Sequence, residues 1–310
     1  MTETETPHGG GARAESGNTS VAETIHRCLD RLTPTERKPA RLLLANYPVV
    51  GLEPLANFAR RAEVSHPTIL RFIAKLGFTG YAGFQAELRS ELEARLKSPL
   101  AKRHRDGAET GDDDDLLARY AQAAAENIRQ SVASMPRSEF EGALELLGET
   151  KNTLYLLGGR FTDAVANYMY MHLRVLRPRV YHVSGPPVSW SEYVLDMDRR
   201  SVLVVFDIRR YQEDLIRFAD EAAERGARIV LVTDNWLSPI AAHAEYVLAT
   251  RIEVPSNWDS VVAMMTLMEA LIAALNNRQW PRLEGRIREL ERMRDHFESG
   301  GPLERKPEKD

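Results

Sequence analysis

Apolar residues recur at helical spacing between positions 54 and 84, a pattern typical of two short helices joined by a tight turn. The inner face of the second predicted helix consists of Ile69, Phe72, Ile73 and Leu76. Ser65 precedes this helix as a candidate N-cap, because its hydroxyl can accept hydrogen bonds from the free amides of the first turn. Gly77 follows Leu76 and predicts the end of the helix.

The polar residues of the second helix suggest what this helix does. Thr68, Arg71 and Lys75 are spaced i, i+3 and i+7, so we expect them on the solvated face opposite the apolar residues. This is the layout of a helix-turn-helix, whose second helix enters the major groove of DNA. An ordinary antiparallel pair of helices with solvated basic residues fits the same spacing.

A preceding helix is predicted from the capping box Thr33-Pro34-Thr35-Glu36, in which threonine and glutamate each satisfy a free backbone amide. Pro39 follows shortly after, and a proline in the interior of a helix costs about 3 kcal/mol. The helix is therefore expected either to bend at Pro39 or to begin closer to Arg37.

Beyond position 115 the pattern changes to short apolar runs that alternate with amphipathic segments. Strands are predicted at 153–157, 180–183, 202–206, 228–232 and 246–249. Helices are predicted at 116–134, 138–147, 162–176, 211–225 and 258–275, with a further charged helix at 283–296. The alternation favours a parallel sheet of these five strands, covered by helices on both faces. The predicted fold class is an all-α domain followed by an α/β domain.

Polar segments indicate the domain boundaries. The stretch 98–115 has two glycines and a run of four aspartates, and its low hydrophobicity is typical of a solvated linker. Residues 1–18 and 299–310 have a similar composition and are expected to be disordered tails. The predicted domains therefore cover residues 19–97 and 116–298.

Composition excludes several classes of protein. The chain has 310 residues, 43% of them hydrophobic, enough for two packed domains. No apolar run approaches the roughly 18 residues of a membrane span, and the N-terminal region lacks the apolar segment of a signal peptide. A single cysteine, Cys28, excludes an internal disulfide framework, so a cytoplasmic location is predicted. Cys28 and His26 alone do not make a metal site, and no metal is predicted.

Charge is distributed unevenly between the two predicted domains. The whole chain has a net charge of −4. Residues 19–97 contain 12 Lys and Arg against 8 Asp and Glu, a balance of +4. A basic N-terminal domain, doubled in a dimer, would neutralise DNA phosphates, although many helical domains carry a similar charge.

In open parallel sheets, ligands bind beyond the carboxyl ends of the strands. The loop after the first predicted strand contains Gly158, Gly159, Arg160 and Thr162. Paired glycines let the backbone approach a ligand, and the amides of the following helix favour an anion. A tight strand-to-helix turn without a ligand is the alternative. The third glycine of a dinucleotide-binding fingerprint is absent, and no cofactor is predicted.

The N-terminal region resembles the DNA-binding domain of the RpiR family of bacterial transcription regulators. The block VSHPTILRFIAKLGFTGYAGF covers the turn, the second helix and the following Gly-aromatic segment, and carries most of the resemblance. The resemblance implies that the domain binds operator DNA as part of an oligomer. The residues expected to contact double-stranded operator DNA are Ser65, His66, Thr68, Arg71 and Lys75.

The C-terminal region resembles a sugar isomerase (SIS) domain, a flavodoxin-like sandwich with five parallel strands that binds phosphosugars. In RpiR regulators this domain follows the DNA-binding domain and senses an effector. SIS domains usually hold phosphate with small hydroxyl residues in the loops after the first and third strands. Here the third strand is followed by FDIRRYQ, which contains no serine or threonine.

Two interpretations of that departure remain open. Arg209 or Arg210, assisted by Arg160, would bind a phosphate or carboxylate by bidentate hydrogen bonds. Alternatively, Arg209 and Arg210 pair with Asp207 and other carboxylates, and the pocket has changed or lost its ligand. The residues expected to bind a small anionic effector, with a sugar phosphate as one candidate, are Gly158, Gly159, Arg160, Thr162, Asp207, Arg209, Arg210, Thr233 and Ser256.

Three functions are compatible with the sequence. The first is a transcription regulator, a homodimer or homotetramer in which a ligand changes operator binding. The second is an isomerase, for which Glu192, Glu253 and His182 are loosely placed acid/base candidates without a distinguishing pattern. The third is a C-terminal domain that serves only as a dimerisation scaffold. The DNA-binding domain favours the regulator, so no catalytic residue is predicted.

Overall fold

The computed structural model describes residues 20–96 and 115–299. The first of these segments is helical, and the second is an α/β domain. The N-terminal helices are α1 (Val21–Cys28), α2 (Pro34–Ala45), α3 (Val49–Leu52), α4 (Leu55–Arg61), α5 (His66–Lys75) and α6 (Tyr81–Leu96). The 3₁₀ turn Leu29–Arg31 joins α1 to the loop that precedes α2.

The α/β domain begins with two helices and continues with alternating strands and helices. Its helices are α7 (Leu116–Ser134), α8 (Arg137–Gly148), α9 (Asp163–Leu176), α10 (Trp190–Leu195), α11 (Glu213–Glu224) and α12 (Val262–Ser299). Its strands are β1 (Thr153–Gly158), β2 (Val180–His182), β3 (Ser201–Asp207), β4 (Arg228–Asp234) and β5 (Tyr246–Thr250). Short 3₁₀ turns lie at Pro187–Ser189 and Pro239–Ala242.

The described strands form a parallel sheet in the order β2-β1-β3-β4-β5. The predicted parallel α/β fold is thereby confirmed. Because β1 lies between β2 and β3, the loops after β1 and β3 leave the same edge of the sheet side by side. Gly158 pairs with Phe206 in this register, which places the residues that follow them next to each other.

The two faces of the sheet are buried against different helices, because successive side chains of a strand point to opposite faces. Leu156, Val204 and Val232 pack with α8, α9 and α12 on one face. Leu157 and Leu231 pack with α10 and α11 on the other. Burial on both faces explains why the strands read as continuous apolar runs in the sequence.

The helix-turn-helix has its own core, into which α5 inserts the predicted apolar face. Its buried residues include Phe58, Ile69, Phe72, Ile73 and Leu76. In the turn, Glu63 has a φ of 53°, and the amide of Val64 donates to the carbonyl of Ala59. Gly77 ends α5 with a φ of 94°, as predicted for a left-handed cap.

Two predictions about helices were incomplete. The segments 258–275 and 283–296 were expected as separate helices, but α12 is continuous from Val262 to Ser299 and contains Pro281. The capping box at Thr33 is present, and α2 runs from Pro34 through Pro39, so the alternative start near Arg37 is wrong. Residues 97–114, which include most of the predicted linker, lie outside the described residues, and the domain boundaries stay predictions.

The N-terminal helices also pack against the α/β domain. Ala22 of α1 is fully buried in the core below α11. The Ser20 hydroxyl donates to the carbonyl of Asn235, just beyond β4. Glu23 of α1 and Arg251, which follows β5, form an ion pair of 3.0 Å, and only 6% of each side chain is exposed. Helix α1 therefore rests on the loops at the carboxyl edge of the sheet.

Candidate functional site

Helix α5 presents a mixed surface to solvent. His66, Leu70, Arg71 and Lys75 are exposed, as is Ser65 just before the helix. Ser65 occupies the N-cap position, but its hydroxyl accepts no hydrogen bond from a backbone amide of the first turn. It instead shares a hydrogen bond of 3.0 Å with the hydroxyl of Thr68.

The prediction that Thr68 lies on the solvated face is wrong. Only 4% of the residue is exposed, because Thr68 shares an i, i+4, i+8 row with the buried Phe72 and Leu76. Its hydroxyl accepts a hydrogen bond of 3.3 Å from the guanidinium of Arg71. Thr68 therefore positions Arg71 from below, and its burial does not favour a direct contact with DNA.

Lys75 has a partner within the protein. Its Nζ lies 2.6 Å from Oε2 of Glu36, whose side chain is 5% exposed, and also donates to the carbonyl of Arg31. Burial raises the pKa of Glu36, but hydrogen bonds from Lys75 and Thr33 more than offset this, so the pKa lies below its usual value of 4.5. Lys75 thus fastens α5 to the first turn of α2.

A cavity of about 500 Å³ opens at the carboxyl edge of the sheet, between the loops after β1, β3 and β5. This volume is in the usual range for a small-molecule site. Its lining includes Gly159, Arg160, Thr162, Asp207, Arg209 and Arg210 from the predicted set. The predicted effector-binding set lacked the other principal lining residues, which are Phe161, Ile208, Gln212, Asn257, Trp258 and Asp259.

Arg209 is a buried wall of this cavity. Its Nη2 lies 3.0 Å from Oε1 of Glu253 and its Nε lies 3.5 Å from Oδ2 of Asp259, while its side chain is 3% exposed. Its guanidinium also lies 4.4 Å from the ring centre of Trp236. Of the two open interpretations, pairing with carboxylates describes Arg209, although its partners are Glu253 and Asp259 rather than Asp207.

Arg160 and Arg210 differ from Arg209 in their surroundings. Both are exposed, and neither has a carboxylate within ion-pair distance among residues 20–96 and 115–299. Arg210 has a φ of 63°, a conformation that is unfavourable for a residue other than glycine. Such strained positions cluster at functional sites. These two guanidinium groups are able to form bidentate hydrogen bonds with an anion.

The small hydroxyls near the cavity are engaged in the fold. Thr162 donates to the carbonyl of Phe206 at 2.5 Å and accepts from the amide of Gly159 at 2.8 Å. Thr233 is fully buried and donates to the carbonyl of Asp207 at 2.6 Å. The carboxylate of Asp207 accepts from Ser238 at 2.6 Å. These groups join β1, β3 and β4 at their carboxyl ends.

Asp234, which the sequence did not single out, connects the loops after β3 and β4. Its carboxylate accepts hydrogen bonds from the Arg209 amide, the Tyr211 hydroxyl and the Trp236 amide, at 2.6, 2.7 and 2.9 Å. Burial raises the pKa of Asp234, although these hydrogen bonds oppose the effect. The network holds Arg209 against Trp236 and shapes one wall of the cavity.

Family models match both parts of the chain. Residues 19–95 match the helix-turn-helix domain of the rpiR family, and residues 149–274 match the SIS domain.

The chain belongs to the RpiR family.

Curated relatives support this membership. The RpiR-family chain is 23% identical over 284 residues to the transcriptional regulator HexR of Escherichia coli, a match that covers 87% of this chain and 93% of HexR. It is also 25% identical over 252 residues to the bifunctional protein glk of Paraburkholderia xenovorans. That match covers 81% of this chain but only 38% of glk, so the chain spans little more than a third of that relative.

Solved structures agree on the fold. The sugar isomerase domain of an RpiR transcription factor from Sphaerobacter thermophilus matches 57% of this chain and 99% of its own, with a TM-score of 0.54 and 22% identity. NanR of Vibrio vulnificus, complexed with ManNAc-6P, matches 88% of this chain and 98% of its own. Its TM-score is 0.51 and its identity 16%.

Three of the predicted effector-binding residues do not line the cavity. Gly158 lies beneath the loop, where a Cβ would collide with the backbone of Asp163, so strand-to-helix packing requires this glycine. Thr233 is buried under Asp207. Ser256 lines a neighbouring depression with Arg119 and accepts a hydrogen bond from the amide of Trp258.

The three acid/base candidates also lie outside the cavity lining. Nε2 of His182 lies 2.8 Å from Oδ1 of Asp163 and does not line the cavity. Glu253 is paired with Arg209, and Glu192 is exposed on α10. Within the two described segments, no cluster of three or more His, Cys, Asp or Glu suits a metal ion. In the same segments, no helix combines the length and apolar character required to span a bilayer.

Proposed function

We propose that this protein is a DNA-binding transcription regulator in which a small anionic ligand, bound at the carboxyl edge of the sheet, controls the position of the DNA-binding domain. The observation that carries the proposal is a shared segment, Arg251 to Glu253. Glu253 pairs with the cavity wall through Arg209, and Arg251 pairs with Glu23 of α1. Glu253, which contacts the cavity wall, is therefore only two positions along the chain from Arg251, which contacts α1.

A second connection runs in parallel. Trp236 stacks on Arg209, and the neighbouring carbonyl of Asn235 accepts the hydrogen bond from Ser20, directly before α1. Helix α7 supports the same segment, since the Arg251 amide donates to Ser131 at 2.8 Å and Asn127 donates to the Glu253 carbonyl at 2.8 Å. A ligand that prefers one arrangement of this network would shift the equilibrium between arrangements of the DNA-binding domains.

On the DNA side, we propose that α5 enters the major groove and that His66, Arg71 and Lys75 face the DNA, with Ser65 at the helix start. On the ligand side, we propose Arg160 and Arg210 as the anion-binding groups. The named ligand of Vibrio vulnificus NanR is a sugar phosphate, which makes phosphate esters the first class to test here. We propose a homodimer or homotetramer in the cytoplasm, in which each pair of DNA-binding domains binds a two-fold-related operator.

We propose sensing rather than turnover. Glu253 is engaged by Arg209, and His182 is engaged by Asp163 outside the cavity. An isomerase would need an unengaged acid or base within hydrogen-bond reach of the sugar. A coupled assay with sugar phosphates, with linear product formation proportional to protein, would contradict this part of the proposal.

The coupling is tested with Glu23→Gln and genomic fragments that the wild type retains in a DNA pull-down. Wild-type affinity for these fragments, measured by fluorescence anisotropy, should change when an anionic ligand is added. In Glu23→Gln, ligand binding by calorimetry should persist while the ligand effect on DNA affinity falls, because coupling between two sites is reciprocal and depends on the contact between them. Glu224→Gln, the same substitution at an exposed glutamate of α11, is the matched control for charge. An unchanged ligand effect in Glu23→Gln would reject the proposed path.

A further inference from the structure

Two aromatic side chains at the mouth of the cavity are exposed to solvent. Phe161 is 58% exposed and Trp258 is 59% exposed, although both are large and apolar. Their ring centres are 5.5 Å apart and their planes meet at 67°. They come from the loops after β1 and β5, and both line the cavity. Exposed apolar surface concentrated at a concave site marks a place where a ligand is bound.

The guanidinium groups lie beside these rings. Arg160 follows Gly159 and precedes Phe161, and its guanidinium carbon is 5.3 Å from the Phe161 ring centre. Arg210 lies in the loop after β3 and also lines the cavity. An anion held by these arginines therefore places the rest of the ligand against the aromatic pair.

Several polar groups in the cavity wall already have hydrogen-bond partners within the fold. Thr162 has both a donor and an acceptor partner in the fold, and Oε1 of Gln212 accepts from the amide of Arg160 at 2.5 Å. Asp207 accepts from Ser238. A sugar hydroxyl that enters a site without finding a partner costs about 1–3 kcal/mol. A polyhydroxylated ligand would compete with these internal hydrogen bonds, whereas a flat apolar ring needs no hydrogen-bond partner.

We infer that this cavity binds an anion carried on a flat aromatic ring, held by Arg160 and Arg210 at the anionic group and by Phe161 and Trp258 at the ring. The inference rests on the proposed function, because it names the ligand class for the same site. Stacking on two aromatic side chains contributes about 0.5–1.5 kcal/mol per ring pair beyond the area buried.

The test compares ligands that share one anionic group and differ in the body that carries it. Phenyl phosphate, glucose 6-phosphate and inorganic phosphate are titrated into the full chain by isothermal calorimetry. Phenyl phosphate should bind about tenfold more tightly than glucose 6-phosphate, a difference of about 1.4 kcal/mol. Trp258→Ala and Phe161→Ala should each remove most of this preference, and Trp258→Phe should restore part of it.

Trp280→Ala is the matched control, because Trp280 is a similarly exposed tryptophan on α12 that does not line the cavity. It should keep the preference for phenyl phosphate. Equal binding of the two esters, or tighter binding of glucose 6-phosphate, would overturn the inference on the ring. If that binding still depended on Arg160 and Arg210, the proposed function would stand. Absence of binding by all three phosphates, or binding unaffected in Arg160→Ala and Arg210→Ala, would overturn both.

Discussion

On helix α5, Lys75 lies 2.6 Å from the carboxylate of Glu36, whereas the guanidinium of Arg71 donates to the neutral hydroxyl of Thr68. In the cavity, the same division is found between Arg209, which is buried and paired, and Arg210, which is exposed beside it. In both regions, cations that are equivalent in the sequence have different surroundings in the fold.

The two regions differ in how deeply the paired cation is buried. Lys75 keeps 40% of its side chain exposed, while Arg209 keeps 3%. An exposed pair is weakened by water and salt, so it contributes little to stability. A buried cation that loses its partner, or a buried carboxylate that loses its cation, costs much more. Arg209 is therefore a structural cation, whereas Lys75 keeps an exposed ammonium group beside its partner, as Arg71, Arg160 and Arg210 keep exposed guanidinium groups.

The largest effect is expected at Arg209. Arg209→Ala should lower the free energy of unfolding of the α/β domain by about 3 kcal/mol, because Glu253 and Asp259 lose their cation and Trp236 loses its stacking partner. Urea denaturation followed by circular dichroism measures this. Arg210→Ala, the matched control, should stay within about 0.5 kcal/mol of wild type. Equal losses of unfolding free energy in the two variants would contradict the distinction between a buried, paired Arg209 and an exposed Arg210.

Arg71→Ala should give the next largest effect, on DNA affinity rather than on stability. Loss of one DNA-contacting arginine is expected to weaken binding by about tenfold, and if the contact is to a phosphate the salt slope should fall by about 1. Fluorescence anisotropy at several salt concentrations measures both quantities. Unchanged affinity, together with a wild-type unfolding midpoint, would remove Arg71 from the DNA-binding surface.

Lys75→Met should lower the stability of the DNA-binding domain by about 1 kcal/mol at neutral pH, since it leaves Glu36 without its cation. The pKa of Glu36 is lowered in the folded state, so the stability that it contributes is present above its usual value of 4.5 and is lost as the pH falls through the folded pKa. Wild type and variant should therefore converge in acid. A difference that stays constant from pH 7 to acid would contradict this role for the pair.

The smallest effect is expected at Thr68. Thr68→Val keeps the shape of the buried side chain but removes the hydroxyl that contacts Ser65 and Arg71, at a cost of about 0.5 kcal/mol. DNA affinity should fall less than in Arg71→Ala, because only the position of the guanidinium is affected. A larger loss of DNA affinity than in Arg71→Ala would mean that Thr68 itself reaches the DNA.

Much of the fold was predictable because local patterns encode it. The strands could be recognised as apolar runs because both faces of the sheet are buried, and Phe72 and Ile73 could be assigned to the core from their spacing. The burial of Thr68 was not predicted because threonine is a polar residue. Its position four residues before the buried Phe72 places it on the same side of the helix. The continuous α12 was missed because Pro281 and a highly charged second half suggested an interruption.

The site was less predictable for a different reason. Glycine, arginine and threonine residues in the loops after β1 and β3 pointed to the correct edge of the sheet. The sequence contained no local signal that Glu253, 44 residues away, pairs with Arg209. Trp258 was assigned to a helix, yet it lies in the loop before α12 and lines the cavity. Contacts between distant loops depend on the register of the strands that carry them.

The sequence by itself determined the family, the order of the two domains and the parallel sheet, because each rests on local periodicity or on a contiguous motif. Only the tertiary structure decided which cations are neutralised and which remain exposed. The physical reason is that the state of a charge depends on its burial and on carboxylates brought close by folding, as Glu36 is to Lys75 and Glu253 is to Arg209. The contact of Glu23 with Arg251, 228 residues apart, was decided in the same way.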